Sequence, residues 1–309
     1  MSFQLVPRSL QYLERVAQTG SIQAASRETG ISASAIHRQI KLLEDALGEL
    51  LFERDVQGMS LTPTGQMILD LARDWRLDST RLVSTIEANR GIEYGHVRIA
   101  AMDGMVNGFA LELSRVLAEK FPRVHARIEV TSPVNAVKGV LNGDFDLAVV
   151  VNAAPDDDLI FHWQRDYRLG CIAVPGHPVA GRDRIALKEL APHPAVFQST
   201  ALSIRRLLEV RHGWLFERAL QSVEVNSIQL MKLLVLTGQF IAVTSELDAG
   251  PELRSGQLRF VPLSDSDLFQ QNFAVISNVQ IPASETVRKI TEIAVGILRK
   301  HADPDGAGA

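Results

Sequence analysis

The chain has 309 residues, 46% of them hydrophobic and 22% charged, with a formal net charge of −4. That length accommodates two or more cored domains, and that balance excludes a disordered chain. An acidic total supplies no overall basic field for nucleic acid, although a small basic face can sit on an acidic whole. The single cysteine, Cys171, excludes an internal disulfide and a cysteine-rich metal site, and its setting in "LGCIAVP" reads as a buried structural thiol. The N-terminus lacks a basic segment followed by an apolar core, and no apolar run reaches about eighteen residues. The expected location is cytoplasmic, with no membrane partner.

Residues 1–60 are helix-dense, with breaks at Gly20, Gly30, Gly48 and Gly58. Leu10, Leu13, Val16 and Ala17 space a first helix that stops at Gly20. Ser21 suits an N-cap for a second helix, "SIQAASRET", which Gly30 ends. Ser32 then caps a third, "ASAIHRQIKLLEDAL", closed by Gly48. Two short helices joined by a tight Gly-containing turn form a helix-turn-helix. "LLFERD" and "MSLTP" around Gly58 read as a small hairpin wing. The third helix buries Ile36, Ile40 and Leu43, and its other face carries Ser34, His37, Arg38 and Lys41. Such a face is ordinarily solvated; in a helix-turn-helix it enters the major groove, where Arg38 can pair bidentately with guanine. Six cationic side chains face seven anionic ones in residues 1–60, so a single copy makes few phosphate contacts. A dimer on a two-fold symmetric site is the physical remedy.

Residues 63–90 read as one long helix. Ile68, Leu71, Trp75, Leu82 and Ile86 form a stripe interrupted at Asp78 and Ser79. Such a stripe can pack on its own domain, but a helix of about 40 Å is too long for one small headpiece to cover. From Gly91 onward, short apolar runs alternate with helical periodicity, which predicts an α/β domain with a largely parallel sheet. Strands are expected at "HVRIAAM", "HARIEVT", "FDLAVVV", "YRLGCIAVP", "PAVFQ", "SVEVN", "FIAVTS" and "QQNFAVISN". Helices are expected between them, one continuous over "SIRRLLEVRHGWLFERAL", with a last one at "ASETVRKITEIAVGILRK". The tail 302–309 reads as disordered.

The ordered elements Gly20-Ser21, Ala24-Ala25, Ile31-Ser32, Ser34-Ala35-Ile36, Arg38-Gln39-Ile40, Leu43-Glu44, Leu47-Gly48, Leu51-Phe52, Arg54, Leu61-Thr62 and Gly65 run through residues 19–69. In that order they resemble the N-terminal domain of LysR-type transcriptional regulators. "GDFDLAVV" and "GQFIAVTSELDAGPELRSGQLRFVPL" resemble the family's effector domain. The resemblance implies a winged helix-turn-helix at 1–62, a linker and dimerisation helix at 63–90, and an effector domain at 91–301. That domain would be α/β with two lobes, periplasmic-binding-protein-like: lobe I about 91–163 and 269–301, lobe II about 164–268. It further implies promoter DNA, a small-molecule effector, a homodimer or homotetramer paired through the long helix, and RNA polymerase as partners, with no cofactor. DNA contacts would come from Ser32, Ser34, His37, Arg38, Lys41, Arg54 and Gln57. Ala33 stands where relatives commonly have Gln, His37 where they have Ser, and Gln57 where a basic residue is frequent. The relatives' base preference therefore does not transfer to this chain.

In such folds ligands settle beyond the carboxyl ends of strands, near helix N-termini. The corresponding positions are Met102, Asp103 and Gly104; Thr131 and Ser132; Gln198, Ser199 and Thr200; Asn226 and Ser227; and Thr244. Polar residues at strand–helix junctions are also routine N-caps. If Asp103 faces the cleft, a neutral or amine-bearing ligand is expected; if it caps the following helix, that preference vanishes. Six of the eight histidines (His96, His125, His162, His177, His193 and His212) are scattered without metal-site spacing, and no nucleophile elbow or phosphate loop occurs, so no enzyme is read here. The alternative reading is a two-lobe solute-binding protein without gene regulation.

Overall fold

The computed structural model describes residues 6–55, 58–89, 95–200, 202–218, 222–265 and 270–302. It contains two compact units, Met1–Ile86 and Glu87–Ala309. In the first, α1 (Arg8–Thr19), α2 (Ile22–Thr29) and α3 (Ala33–Leu47) each end at a left-handed glycine: Gly20, Gly30 and Gly48, at φ 67°, 69° and 74°. Only glycine takes that conformation freely, so each helix stops where its sequence says it should. Ser21 and Ser32 accept backbone N–H groups at the starts of α2 and α3. The wing is an antiparallel pair, β1 (Phe52–Asp55) and β2 (Gly58–Leu61), with Phe52 opposite Leu61. Leu13, Val16, Ala25, Ile36, Ile40, Leu51, Phe52 and Leu69 form the core. Leu69 belongs to α4 (Pro63–Asn89), a helix of 27 residues. Arg76 on α4 pairs with Glu14 on α1 at 3.0 Å, so the helix is anchored to the headpiece by charge as well as by apolar contact.

The second unit begins with β3 (Gly95–Ala101), a short 3-10 and π-helical passage over 103–110, α5 (Leu111–Lys120), β4 (Val124–Val130), α6 (Pro133–Leu141), β5 (Leu147–Val151) and β6 (Leu159–Tyr167). The chain then crosses into a second lobe: β7 (Leu169–Ala173), β8 (Ala195–Gln198), α7 (Ser203–His212), α8 (Trp214–Arg218), β9 (Ser222–Val225), α9 (Ile228–Leu236), β10 (Ile241–Ser245), α10 (Gly250–Arg254) and β11 (Arg259–Pro262). It returns through β12 (Gln271–Asn278) and α11 (Glu285–Ala302). The sheet orders are β4-β3-β5-β12-β6 and β11-β7-β10-β8-β9. Apolar clusters cover both faces of each sheet, around Ile99, Leu113, Leu147 and Phe273 on one face of the first and around Ala148, Val150 and Ile276 on the other. Cys171 is fully buried in the second, and burial pushes its thiol up to about 12.

Four expectations need correction. The sheets are mixed, not largely parallel: β12 runs antiparallel to both β5 and β6, and β7 antiparallel to β10 and β11. A strand that re-enters a lobe from the other one has no crossover helix to make it parallel. The lobes part at Arg168 and beyond Pro262, whereas the division read at 163/164 falls inside β6. The single helix over "SIRRLLEVRHGWLFERAL" is interrupted at Gly213. Finally, β6, α10 and β11 were not anticipated as separate elements. The start of the effector domain at 91 and residues 303–309 of the tail read at 302–309 lie outside the described residues, while Ala302 still belongs to α11.

Candidate functional site

The candidate DNA-contacting face is built by α3. Ile36 and Ile40 sink into the headpiece core, which turns Ser34, His37, Arg38 and Lys41 outward, all exposed. Ser32 is the cap, its hydroxyl oxygen accepting the Ala35 N–H at 3.3 Å and lying 3.3 Å from the Ser34 hydroxyl. Lys41 pairs with Asp45 one turn on, at 3.1 Å, with both side chains more than half exposed. Such a pair is worth a few tenths of a kcal/mol and yields readily to a phosphate. Gln57 and the side chain of Arg54 lie outside the described residues.

On α4 the apolar stripe divides. Ile68 packs on the headpiece core beside buried Leu69 and Ala72, so it is not part of a free face. Leu71, Trp75, Leu82 and Ile86 are exposed by 51%, 44%, 51% and 43%. Met67 and Val83, which were not anticipated, are exposed beside them. Their signal was present in the sequence as further large apolar residues in the same helix.

In the second unit, the strand ends of the two lobes meet at two places. At the first, Asp103 follows β3 and its carboxylate Oδ2 accepts from the Ser227 hydroxyl at 3.0 Å and the Gln229 N–H at 3.0 Å, both at the start of α9. The Gln229 side-chain amide donates back to the Asp103 carbonyl at 2.8 Å. The Asp103 carboxylate thus neither stands free in the cleft nor caps its own turn. It serves a helix of the other lobe, so the free carboxylate on which the expected neutral or amine-bearing ligand rested is not present in the cleft.

At the second place, Gln271 at the start of β12 accepts from the Asn152 amide at 3.0 Å and lies 3.5 Å from the Ser203 hydroxyl at the start of α7. Asn152 follows β5 with φ 52°, a left-handed conformation that asparagine tolerates. None of Gln271, Asn152 and Ser203 was among the expected site residues. The only sequence signal for them is a polar residue next to a strand end.

The other expected positions scatter. Ser132 and Ser227 are the N-caps of α6 and α9, as the capping alternative held. Thr131 and Ser199 are half-buried, and Thr200 and Asn226 are exposed on the second lobe. Met102 is buried in the apolar core of the first lobe. Gln198 is buried, donating to the Val243 carbonyl at 3.3 Å. Thr244 is also a correction: it is fully buried, its hydroxyl donating to Asp248 at 3.0 Å, and is not presented to a cleft.

Asp248 belongs to a buried polar cluster that sequence reasoning missed. Lys232 on α9, 1% exposed, donates to the Asp248 carbonyl at 2.9 Å and pairs with Glu252 at 3.0 Å. Asn107 of the first lobe donates to Glu252 at 2.7 Å. Burial pushes the Asp248 carboxyl up from the usual carboxylate range, opposed by hydrogen bonds from Ser245 and Thr244 and by Lys232. The signal was legible in principle, as one lysine inside the apolar helix "IQLMKLLVL". Gly104 lies against this cluster, and a Cβ there would come 2.0 Å from Asp248 Oδ1. Gly104→Ala is therefore expected to destabilise the protein by about 1–3 kcal/mol, as over-packing of a fitted site does. Thermal unfolding checks this, and an unchanged midpoint would refute the close approach.

A pocket of about 280 Å³ lies where the chain crosses between lobes, lined by Arg165, Arg168, Glu246, Arg254 and His301 among others. It contains none of the expected effector residues. Among the described residues no cluster of three metal-ligating side chains occurs, and no helix is long and apolar enough to cross a membrane.

A capped three-helix headpiece with a wing, joined by a long helix to a two-lobe α/β domain, defines a DNA-binding regulator with a ligand-sensing domain. Comparison with known sequences agrees: residues 7–66 match the bacterial regulatory helix-turn-helix domain of the lysR family, and residues 91–296 match the LysR substrate binding domain. The chain belongs to the LysR family of transcriptional regulators. A probable nitrogen assimilation transcriptional activator of Synechococcus elongatus is 25% identical over 88% of this chain and 89% of its own length. The transcriptional regulator CbbR of Rhizobium meliloti is 25% identical over 91% of each chain. Among solved structures, a full-length OxyR variant from Pseudomonas aeruginosa aligns with a TM-score of 0.58 at 17% identity, covering 97% of this chain and 95% of its own. Full-length CbnR, crystallised with its target DNA, aligns at 0.53 and 16% identity, covering 95% of this chain and 99% of its own. At those identities the structures share the fold.

Proposed function

We propose that this regulator binds two-fold symmetric promoter DNA as a homodimer or dimer of dimers, reading each half-site with the N-terminal half of α3. The carrying observation is the exposed group Ser34, His37 and Arg38 on a helix whose opposite side is locked in the headpiece core. Arg38 is the one full charge of that group and supplies base or phosphate contact. His37 can donate to or accept from a base edge and so biases sequence. The α4 stripe joins two copies. A small polar effector is held by amides and hydroxyls between the lobes, where Gln271 meets Asn152 and Ser203. The effector acts by favouring one lobe or domain arrangement over another, and the bound protein meets RNA polymerase at the promoter.

Selection of genomic fragments followed by mobility shifts at one fixed salt concentration tests this. Arg38→Ala is expected to weaken binding by roughly 10–100-fold, the value of one good bidentate contact. His37→Ser is expected to change the preferred sequence more than the overall affinity. Failure to prefer any genomic fragment over bulk DNA would refute the proposal.

A further inference from the structure

The start of α9 is a place where an anion would be welcome: its first N–H groups are not paired within the helix, and the helix dipole favours negative charge there. In this protein that place is already filled. The Ser227 hydroxyl accepts the Leu230 N–H at 3.2 Å and donates its own proton to Asp103 Oδ2 at 3.0 Å, while the Gln229 N–H donates to the same oxygen at 3.0 Å. Gln229 then doubles the link, its amide donating to the backbone carbonyls of Asp103 and Gly104 at 2.8 and 3.5 Å. Asp103 stands on the first lobe and Ser227 and Gln229 on the second. The turn that carries Asp103 is capped by Met102 with no side-chain bond, so the carboxylate is not needed at home. It can come this close because Gly104, next to it, has no Cβ to strike Asp248.

We propose that Asp103 is a latch between the lobes: a tethered carboxylate that occupies the anion seat of α9 and holds the two lobes together at that edge without any effector. A soluble carboxylate can use this seat only by displacing Asp103, so the latch both sets the resting arrangement and selects against acidic ligands there. The inference concerns the domain without effector or DNA. It stands or falls separately from the function proposed above.

The experiment uses the full chain as wild type, Asp103→Asn, Asp103→Gly and the double variant Asp103→Gly/Ser227→Ala, with acetate as the probe and chloride at equal ionic strength as control. Hydrogen exchange reads the Gln229 amide, with the Met231 amide, bonded within α9 to Ser227, as internal reference. Asp103→Asn keeps the size and one acceptor but loses the charge, so Gln229 exchange is expected to rise at least about 10-fold while Met231 is unchanged. In Asp103→Gly, acetate is expected to slow Gln229 exchange and raise the unfolding midpoint. It should do neither in the wild type nor in the double variant. Unchanged Gln229 protection in Asp103→Asn overturns the latch, and that outcome does not depend on the glycine variant folding. Acetate effects of equal size in wild type and Asp103→Gly overturn it as well.

Discussion

Replacing Trp75 and Leu82 together by aspartate is expected to leave a folded monomer whose affinity for its DNA site falls by about 10²–10⁴-fold, the gain that linking two binding modules provides. The headpiece core uses Leu69 and Ala72 of α4, not these two side chains, so the fold has no need of them. Their exposure, 44% and 51%, leaves large apolar surface facing water along a helix of 27 residues. With Leu71 and Ile86, the uncovered area is on the order of 350 Å² per copy, worth roughly 15–20 kcal/mol gross for two copies at ~25 cal/mol per Å². That gross figure is of the same order as the ~4–15 kcal/mol or more that association costs before side-chain ordering is added, so the proposed joint depends on burying this whole face. Four aspartates in one seam would reverse the balance. Sedimentation gives the oligomeric state, and mobility shifts over a salt series give a second check. A monomer neutralises half as many phosphates, so the slope of log affinity against log salt should fall by about half. A double variant that stays dimeric and binds DNA normally would remove α4 as the joint.

The elements that were legible in the sequence are those whose signals are local. Ser21, Ser32, Gly20, Gly30 and Gly48 act within one turn of where they stand, so α1, α2 and α3 could be bounded to within a residue or two. The strand β6 is hard to read because its apolar run, Leu159-Ile160-Phe161, is only three residues long before His162 and gives way to Gln164, Arg165 and Asp166, exposed at the sheet edge. Ile68 falls in the same stripe as Leu71 and Trp75 because a stripe shows period and not what covers it. Ile68, Leu69 and Ala72 are covered at the headpiece, whereas Leu71, Trp75, Leu82 and Ile86 are exposed. The cleft was least legible. Asp103 finds Ser227 and Gln229 more than 120 residues further along the chain, and no spacing rule reaches that far. Thr244 sits at the end of β10 as expected, but the buried Asp248 claims its hydroxyl first.

Lys232→Met is expected to destabilise the effector domain by about 3–5 kcal/mol, the usual consequence of removing one partner from a buried ion pair. Methionine has nearly the shape of the lysine stem, so the loss reports charge and hydrogen bonds, not a cavity. Lys232 and Glu252 are 1% and 5% exposed, and without the ammonium group Glu252 keeps the Asn107 amide but loses its ion-pair partner. For a domain of this size the unfolding midpoint should drop by roughly 6–20 °C. The deficit should grow with pH, for a reason that lies in Asp248. Its carboxyl is raised by burial, so it binds a proton more readily folded than unfolded. The stability that this protonation confers is complete below the unfolded carboxylate range and is lost as pH rises through the folded value. Lys232 is one of the groups that hold that value down. Removing it raises the folded value further and adds destabilisation on the alkaline side. Pairing Lys232→Met with Glu252→Gln should recover most of the loss at acidic pH, because the amide removes the buried charge that Lys232 neutralised. If Lys232→Met unfolds within ~1 kcal/mol of the wild type at every pH, the pair is not the electrostatic centre of the lobe contact, and Gly104 would then have to owe its fit against Asp248 to packing alone.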